Sequence, residues 1–168
     1  LERVIGIGEY CVSGDTEDIL KIYGLSSCIG LVMYCPDIKV LGLGHFLLPD
    51  SGTNKILSGI SPAYFVDTGI EAMIEKICLT YGYRKENIEV SVYGGAAAKT
   101  SDDIFNIGKR NIIAVKKKIA EHRLKIKYSD IGGRICRTLI VCVEDGEPVL
   151  KLQKGLKTED TPLLQGIK

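Results

Sequence analysis

The sequence predicts a single α/β domain with many strands, mostly antiparallel, and two main helices. Three observations lead there. Short apolar runs, several of them alternating with polar residues and bounded by turn residues, recur along most of the chain, which is the pattern of strands. Two stretches instead repeat their apolar residues at helical spacing, one opening at Ser61-Pro62 and one running from Asn106 to about Glu121. The chain has 168 residues, 45% of them apolar and 26% charged, the balance of an ordinary globular domain with a substantial core.

In order, Arg3 to Cys11 reads as a short first strand, with Val4, Ile5, Ile7 and Tyr10 around Gly6 and Gly8. Ser13-Gly14-Asp15 is a turn signal, and Asp18 to Tyr23 reads as a second strand. The small residues of Gly24 to Ser27 break that pattern immediately before Cys28; they permit a close backbone approach to a ligand, or simply bend the chain. Leu47 to Asn54 is a loop rich in turn residues, placed to form a rim after His45 or an ordinary connection. Ser61 suits an N-cap and Pro62 a first helical position, with Val66, Ile70, Met73, Ile74, Ile77 and Tyr81 as the apolar stripe and Gly82 as the stop. Ile88, Val90 and Val92 mark a strand running into Gly94-Gly95, whose N–H groups are candidates to face a ligand; the pair matches neither a P-loop nor a dinucleotide fingerprint. Lys99 to Phe105 reads as a polar excursion. Ile112, Val115 and Ile119 give the second helix its buried side, Lys116 to Lys118 a solvated face, and His122 a structural place near its end. Leu124 to Tyr128, Thr138 to Val143 and Pro148 to Leu152 are the last strands, the final two joined at Glu144-Asp145-Gly146. From Lys154 the apolar pattern fades, so the domain is expected over 1–153 and a loosely ordered tail over 154–168.

The chemistry-bearing stretch is the hairpin between Cys28 and Phe46. Two apolar runs flank Cys35-Pro36-Asp37-Ile38-Lys39. If Pro36 and Asp37 are the central turn residues, Tyr34 faces Lys39 and Cys28 faces His45, with Cβ atoms roughly 4.5–5.5 Å apart. A three-residue loop would send the two side chains to opposite faces, and a four-residue loop would leave them on one face but diagonal. A Cys beside a His has its thiol pKa lowered, and the thiolate is a nucleophile whose imidazole partner can protonate a leaving amine. The other reading of Cys28 is a small buried hydrophobe.

The net charge of +1 makes no electrostatic case for nucleic acid or an anionic membrane as partner. No apolar run is long enough to span a bilayer, and no signal peptide is visible, although the sequence does not open on Met. The six cysteines sit mostly in apolar runs, which points to reduced thiols in the cytoplasm. With no CxxC pair and two His, a zinc site is poorly supported, and no cofactor is expected. A thiol redox role is disfavoured, since Cys35 lies too far along the strand to bond Cys28 directly.

Gly24-Leu25-Ser26-Ser27-Cys28, Gly44-His45-Phe46-Leu47-Leu48-Pro49, Tyr93-Gly94-Gly95-Ala96 and Asn106-Ile107-Gly108-Lys109-Arg110-Asn111, with the opening Val4 to Tyr10, together resemble the CheD family of chemoreceptor glutamine deamidases. The resemblance runs from about Val4 to about Gln153, and the order and spacing of the motifs carry it. It implies a layered sandwich of mixed sheets flanked by helices. It also implies hydrolysis of a glutamine side-chain amide to glutamate on the cytoplasmic helices of methyl-accepting chemotaxis receptors, with Cys28 as nucleophile and His45 as its base. The family places a Thr six residues before the Cys, to orient the His, and then Gly-x-Gly-Ser-Cys. Here the Thr position is Ile22 and the second Gly is Ser26. Ile cannot hydrogen-bond an imidazole, so a backbone carbonyl, a water or another side chain must take that part. Ser26 is a candidate, because 22, 24, 26 and 28 share a face if the segment is extended. Ser27 is a candidate to support the oxyanion. The resemblance implies a second role as well, an adaptor binding a CheC-type phosphatase that acts on phosphorylated CheY.

Overall fold

In a computed structural model that describes residues 1–98 and 104–154, the chain folds into three layers. Among the described residues the elements run β1 (Glu2–Val4), β2 (Glu9–Ser13), β3 (Ile19–Leu25), β4 (Ile29–Cys35), β5 (Val40–Phe46), α1 (Lys55–Ile60), α2 (Val66–Tyr81), β6 (Glu89–Gly94), α3 (Ile107–Glu121), β7 (Lys125–Ile131), β8 (Ile135–Cys142) and β9 (Pro148–Lys154). One sheet has the order β1-β3-β8-β9 and the other β2-β5-β4-β6-β7. The β1–β3 and β6–β7 ladders are parallel and the rest antiparallel, as expected of a mixed, mostly antiparallel sandwich. The tail lies outside the described residues from 155 onward, and so does the polar excursion over 99–103.

Strand alternation sorts the core into two parts. Ile29, Leu31 and Met33 of β4 and Val90 and Val92 of β6 pack under Val66, Ile70, Met73 and Ile77 of α2 and Val115 and Ile119 of α3. Val32 and Tyr34, Leu41 and Leu43 of β5, and Tyr93 point the other way, against Leu20, Ile22, Leu139 and Val141 of the smaller sheet. Each fully buried aliphatic or aromatic side chain contributes roughly 1.5–3 kcal/mol. The five-stranded sheet is therefore covered on both faces, which is why β4 and β5 read as nearly unbroken apolar runs.

Four expectations are corrected. The first strand is two, split between sheets where the chain turns at Gly6 to Gly8. The helix expected from Pro62 begins at Val66; Pro62–Tyr64 is a 3-10 turn, and the Ser61 hydroxyl donates to the Gly8 carbonyl (2.9 Å) instead of capping. The loop expected over Leu47 to Asn54 contains a 3-10 turn at Ser51–Thr53 and runs straight into a helix not expected from the sequence, α1, capped by the Asn54 side chain, which accepts from Leu57 N–H. The hairpin loop has four residues. Pro36–Ile38 form a 3-10 turn and Lys39 takes a left-handed conformation (φ 49°), so Cys35 pairs with Val40 and Gly30, not Cys28, faces His45.

Candidate active site

His45 is the penultimate residue of β5, in alternation with Leu41 and Leu43, so its ring lies on the side facing the smaller sheet. Cys28 sits in the bend between β3 and β4, two residues before Gly30, and packs in the same inter-sheet core. The four-residue loop thus leaves the two on one face and diagonal across the last rungs of the hairpin. Both are buried, Cys28 at 7% exposure and His45 at 4%.

The bend carrying Cys28 is held by its carbonyls. Ser26 accepts from Ala96 N–H (2.8 Å), Cys28 from Gly95 N–H (2.9 Å), and Ser27 from the Asn111 side-chain amide (2.9 Å). This answers the expectation for Gly94-Gly95: the Gly95 N–H is directed at the segment that carries Cys28 rather than at a ligand. Gly94 has φ +97°, and a Cβ there would collide with the Cys28 carbonyl, so a glycine is required where β6 meets the bend. With the carbonyls turned inward, the N–H groups of Ser27 and Cys28 make no backbone hydrogen bond among the described residues. Ser26 is exposed and Ser27 half-buried. A bulge in β3 between Ile22 and Leu25 breaks the shared face that would align Ser26 with Ile22.

His45 is oriented by backbone. Its Nδ1 lies 3.2 Å from the carbonyl oxygen of Ile5. A carbonyl only accepts, so Nδ1 carries the proton and Nε2 keeps its lone pair. Nε2 is buried and has no partner among the described residues. The turn that presents Ile5 is itself braced: Glu9 accepts from Gly6 N–H (2.8 Å) through its carboxylate, and Gly8 N–H donates to the His45 carbonyl (2.8 Å). Ile22 is fully buried among apolar side chains opposite Leu139, so the Ile5 carbonyl, not that position, meets the imidazole.

Electrostatics departs from the expected thiolate. Burial pushes the Cys28 thiol up to about 11, opposed only in part by its backbone N–H. Burial lowers the His45 pKa, opposed by the bond to Ile5 and the charge of Glu9. At neutral pH the pair therefore rests as a neutral thiol and a neutral imidazole. The geometry supplies an imidazole whose Nε2 has no partner among the described residues, a thiol on the same face, and Ser27 and Cys28 N–H groups beside it that make no backbone hydrogen bond among those residues. A groove of about 360 Å³, lined by Ile5, Gly8, Glu9, Tyr10 and Ser61 to Ala63, opens alongside the segment that holds His45. A second cleft, of about 340 Å³ between Tyr34, Tyr93, Tyr128 and Leu150, contains neither Cys28 nor His45. Among the described residues no three His, Cys, Asp or Glu side chains are grouped to hold a metal ion.

Fold and site define a β/β/α sandwich with a buried Cys–His pair on one face of its central sheet. The family model described as CheD chemotactic sensory transduction matches residues 47–152. The probable chemoreceptor glutamine deamidase CheD of Syntrophotalea carbinolica is 38% identical over 86% of this chain and 90% of its own length. The chemoreceptor glutamine deamidase CheD of Bacillus licheniformis is 35% identical over 85% of this chain and 86% of its own. The chain belongs to the CheD family. A hypothetical protein of Bacillus licheniformis, YfiH, aligns at a TM-score of 0.46 and 9% identity over 71% of this chain and 49% of that one, a likeness too loose to argue from. The family match begins two residues after His45, so it rests on the scaffold beyond the pair.

Sequence reasoning missed two elements of the site. The Ile5 carbonyl is a backbone group and has no residue signature. Asn111 did have one, a polar residue inside an apolar helical stripe.

Proposed function

We propose that this chain hydrolyses the side-chain amide of glutamine residues on chemotaxis receptors to glutamate, in the cytoplasm, with Cys28 as nucleophile and His45 as general base. The relatives' names supply the reaction class. The observation that carries the mechanism is the buried His45 ring, fixed through Nδ1 by Ile5 and leaving Nε2 unpaired on the face that carries Cys28. As substrate enters, Nε2 takes the thiol proton and the sulfur attacks the amide carbon. The oxyanion is received by the N–H groups of Ser27 and Cys28, with the Ser27 hydroxyl in support. The imidazolium protonates the departing nitrogen, and ammonia leaves. His45 then takes a proton from water, which opens the thioester, and returns it to the sulfur; glutamate is released. Each turnover converts a neutral amide into a carboxylate, and the cycle consumes one water.

The test is mass spectrometry of a chemoreceptor cytoplasmic fragment incubated with the protein and with Cys28→Ala. A glutamine-to-glutamate mass change that the variant abolishes is expected. An unchanged fragment with folded wild type, or equal conversion by the variant, overturns the assignment.

The neutral, buried thiol also favours a second reading, in which the chain serves chiefly as an adaptor for a CheC-type phosphatase and the pair turns over slowly or not at all. Binding of such a phosphatase with no conversion of any receptor peptide would select it.

A further inference from the structure

Helix α3 presents Gly108, Asn111, Val115 and Ile119 to the core. An asparagine in that stripe is costly unless its amide is bonded. Asn111 is fully buried, and its Nδ2 donates to two carbonyls, those of Ser27 and Leu47, each at 2.9 Å. Both partners only accept, so the nitrogen must face them and Oδ1 must point away. Ser27 immediately precedes Cys28, and Leu47 follows His45 by two residues. The β4–β5 ladder ends at the rung Ile29–Phe46. Beyond it the two strands part: the Leu47 and Leu48 N–H groups turn to the Tyr64 carbonyl (3.2 and 3.1 Å), and the Cys28 carbonyl turns to Gly95. One side-chain amide thus bridges the gap where the hairpin opens around the pair.

We propose that Asn111 is a positioning residue, whose amide sets the separation between the segment carrying Cys28 and the strand carrying His45. The proposal rests on the deamidase reading for its effect on turnover and on geometry alone for its effect on the thiol. The position is reached from α3, an element that contributes no reacting group. Gly108, one turn earlier, packs so closely on the Ala96 carbonyl that a Cβ would collide with it, which seats the helix on the loop that also binds the Cys28 bend. Helix, loop and both arms of the site are therefore in fixed register.

The experiment compares Asn111→Leu with Val115→Ala, a buried position on the same helix face that touches none of the site carbonyls. Receptor-fragment deamidation gives kcat and KM, and iodoacetamide labelling of Cys28, read by mass spectrometry across pH, gives the state of the thiol. Asn111→Leu is expected to lower kcat about a hundredfold with KM within about threefold, the penalty of a misplaced reacting group. It is also expected to speed Cys28 labelling as the bend loosens and the thiol meets solvent. Slower turnover with faster labelling, set against near-wild-type values for Val115→Ala, supports the proposal. Equal behaviour of the two variants overturns it. Should Asn111→Leu fail to fold, Asn111→Ala leaves room for water on both carbonyls; wild-type kcat and labelling in that variant overturn the proposal, and the opposed changes support it. If the wild type converts no receptor glutamine, the deamidase reading fails by itself, and the labelling comparison still decides the role of Asn111.

Discussion

The two faces of the β4–β5 hairpin share a backbone and little else. Toward the helices it shows Ile29, Leu31, Met33, Cys35, Val40 and Phe46, an apolar surface under α2. Toward the smaller sheet it shows Gly30, Val32, Tyr34, Leu41, Leu43 and His45, with Cys28 at its end. One face holds the fold, and the other keeps a buried imidazole with a nitrogen unpaired among the described residues, a feature a purely stabilising core would avoid. Side chains alternate along a strand, so a single residue separates the two duties, and a slip of one position would exchange them.

The sharpest way to break this contrast is to mutate the neighbours His45 and Phe46. His45→Ala is expected to cut deamidation by at least about a thousandfold while the fold survives, as removal of a catalytic base does. Phe46→Ala, at a fully buried site, is expected to cost about 3–5 kcal/mol in denaturant unfolding, with kcat of the folded fraction nearly unchanged. Comparable loss of both properties in both variants would show that the faces are not separate.

A second test follows from the thiol. With its pKa raised from 9.0 to about 11, Cys28 gains most of its thiolate only over that interval. Its labelling rate should therefore climb roughly fiftyfold between pH 9 and 11, where an ordinary thiol gains only about twofold. A plateau at or below pH 9 would mean that the imidazole already holds the proton. The sign for stability follows: the folded state binds this proton more tightly than the unfolded chain does. The contribution is thus fully present below pH 9.0 and is lost as pH rises toward 11.

The smallest effect concerns Ile22. Thr is the residue that the resemblance places there, yet Nδ1 of His45 is already bonded to Ile5. Ile22→Thr should change kcat by no more than about threefold and lower stability, because a hydroxyl enters an apolar core. A rise of tenfold or more would mean that His45 is poorly oriented as it stands.

Much of this was legible in the residues and some was not. The apolar runs of β4 and β5 and the stripe of α2 announce their elements, because burial on one or both faces imposes a period. The loop between β4 and β5 did not announce its length: Lys39 in a left-handed conformation has no sequence signature, and it moved the partner of His45 from Cys28 to Gly30. Ser61-Pro62 resembles a helix start because Pro fits the first turn of a 3-10 helix as readily as that of an α-helix. The thiol's environment was misjudged for a further reason. Proximity to an imidazole is a pairwise property readable from a register, whereas desolvation depends on everything packed around the group, here an entire second sheet.

The burial of Cys28 also bears on chemical durability. Peroxide attacks thiolates, not thiols, and a thiol both neutral and nearly covered is a poor target. A nucleophile kept permanently ionised would be consumed by oxidation between encounters with substrate. On the proposed mechanism the sulfur here stays protonated and covered until a substrate carbonyl reaches it, and only then gives its proton to His45.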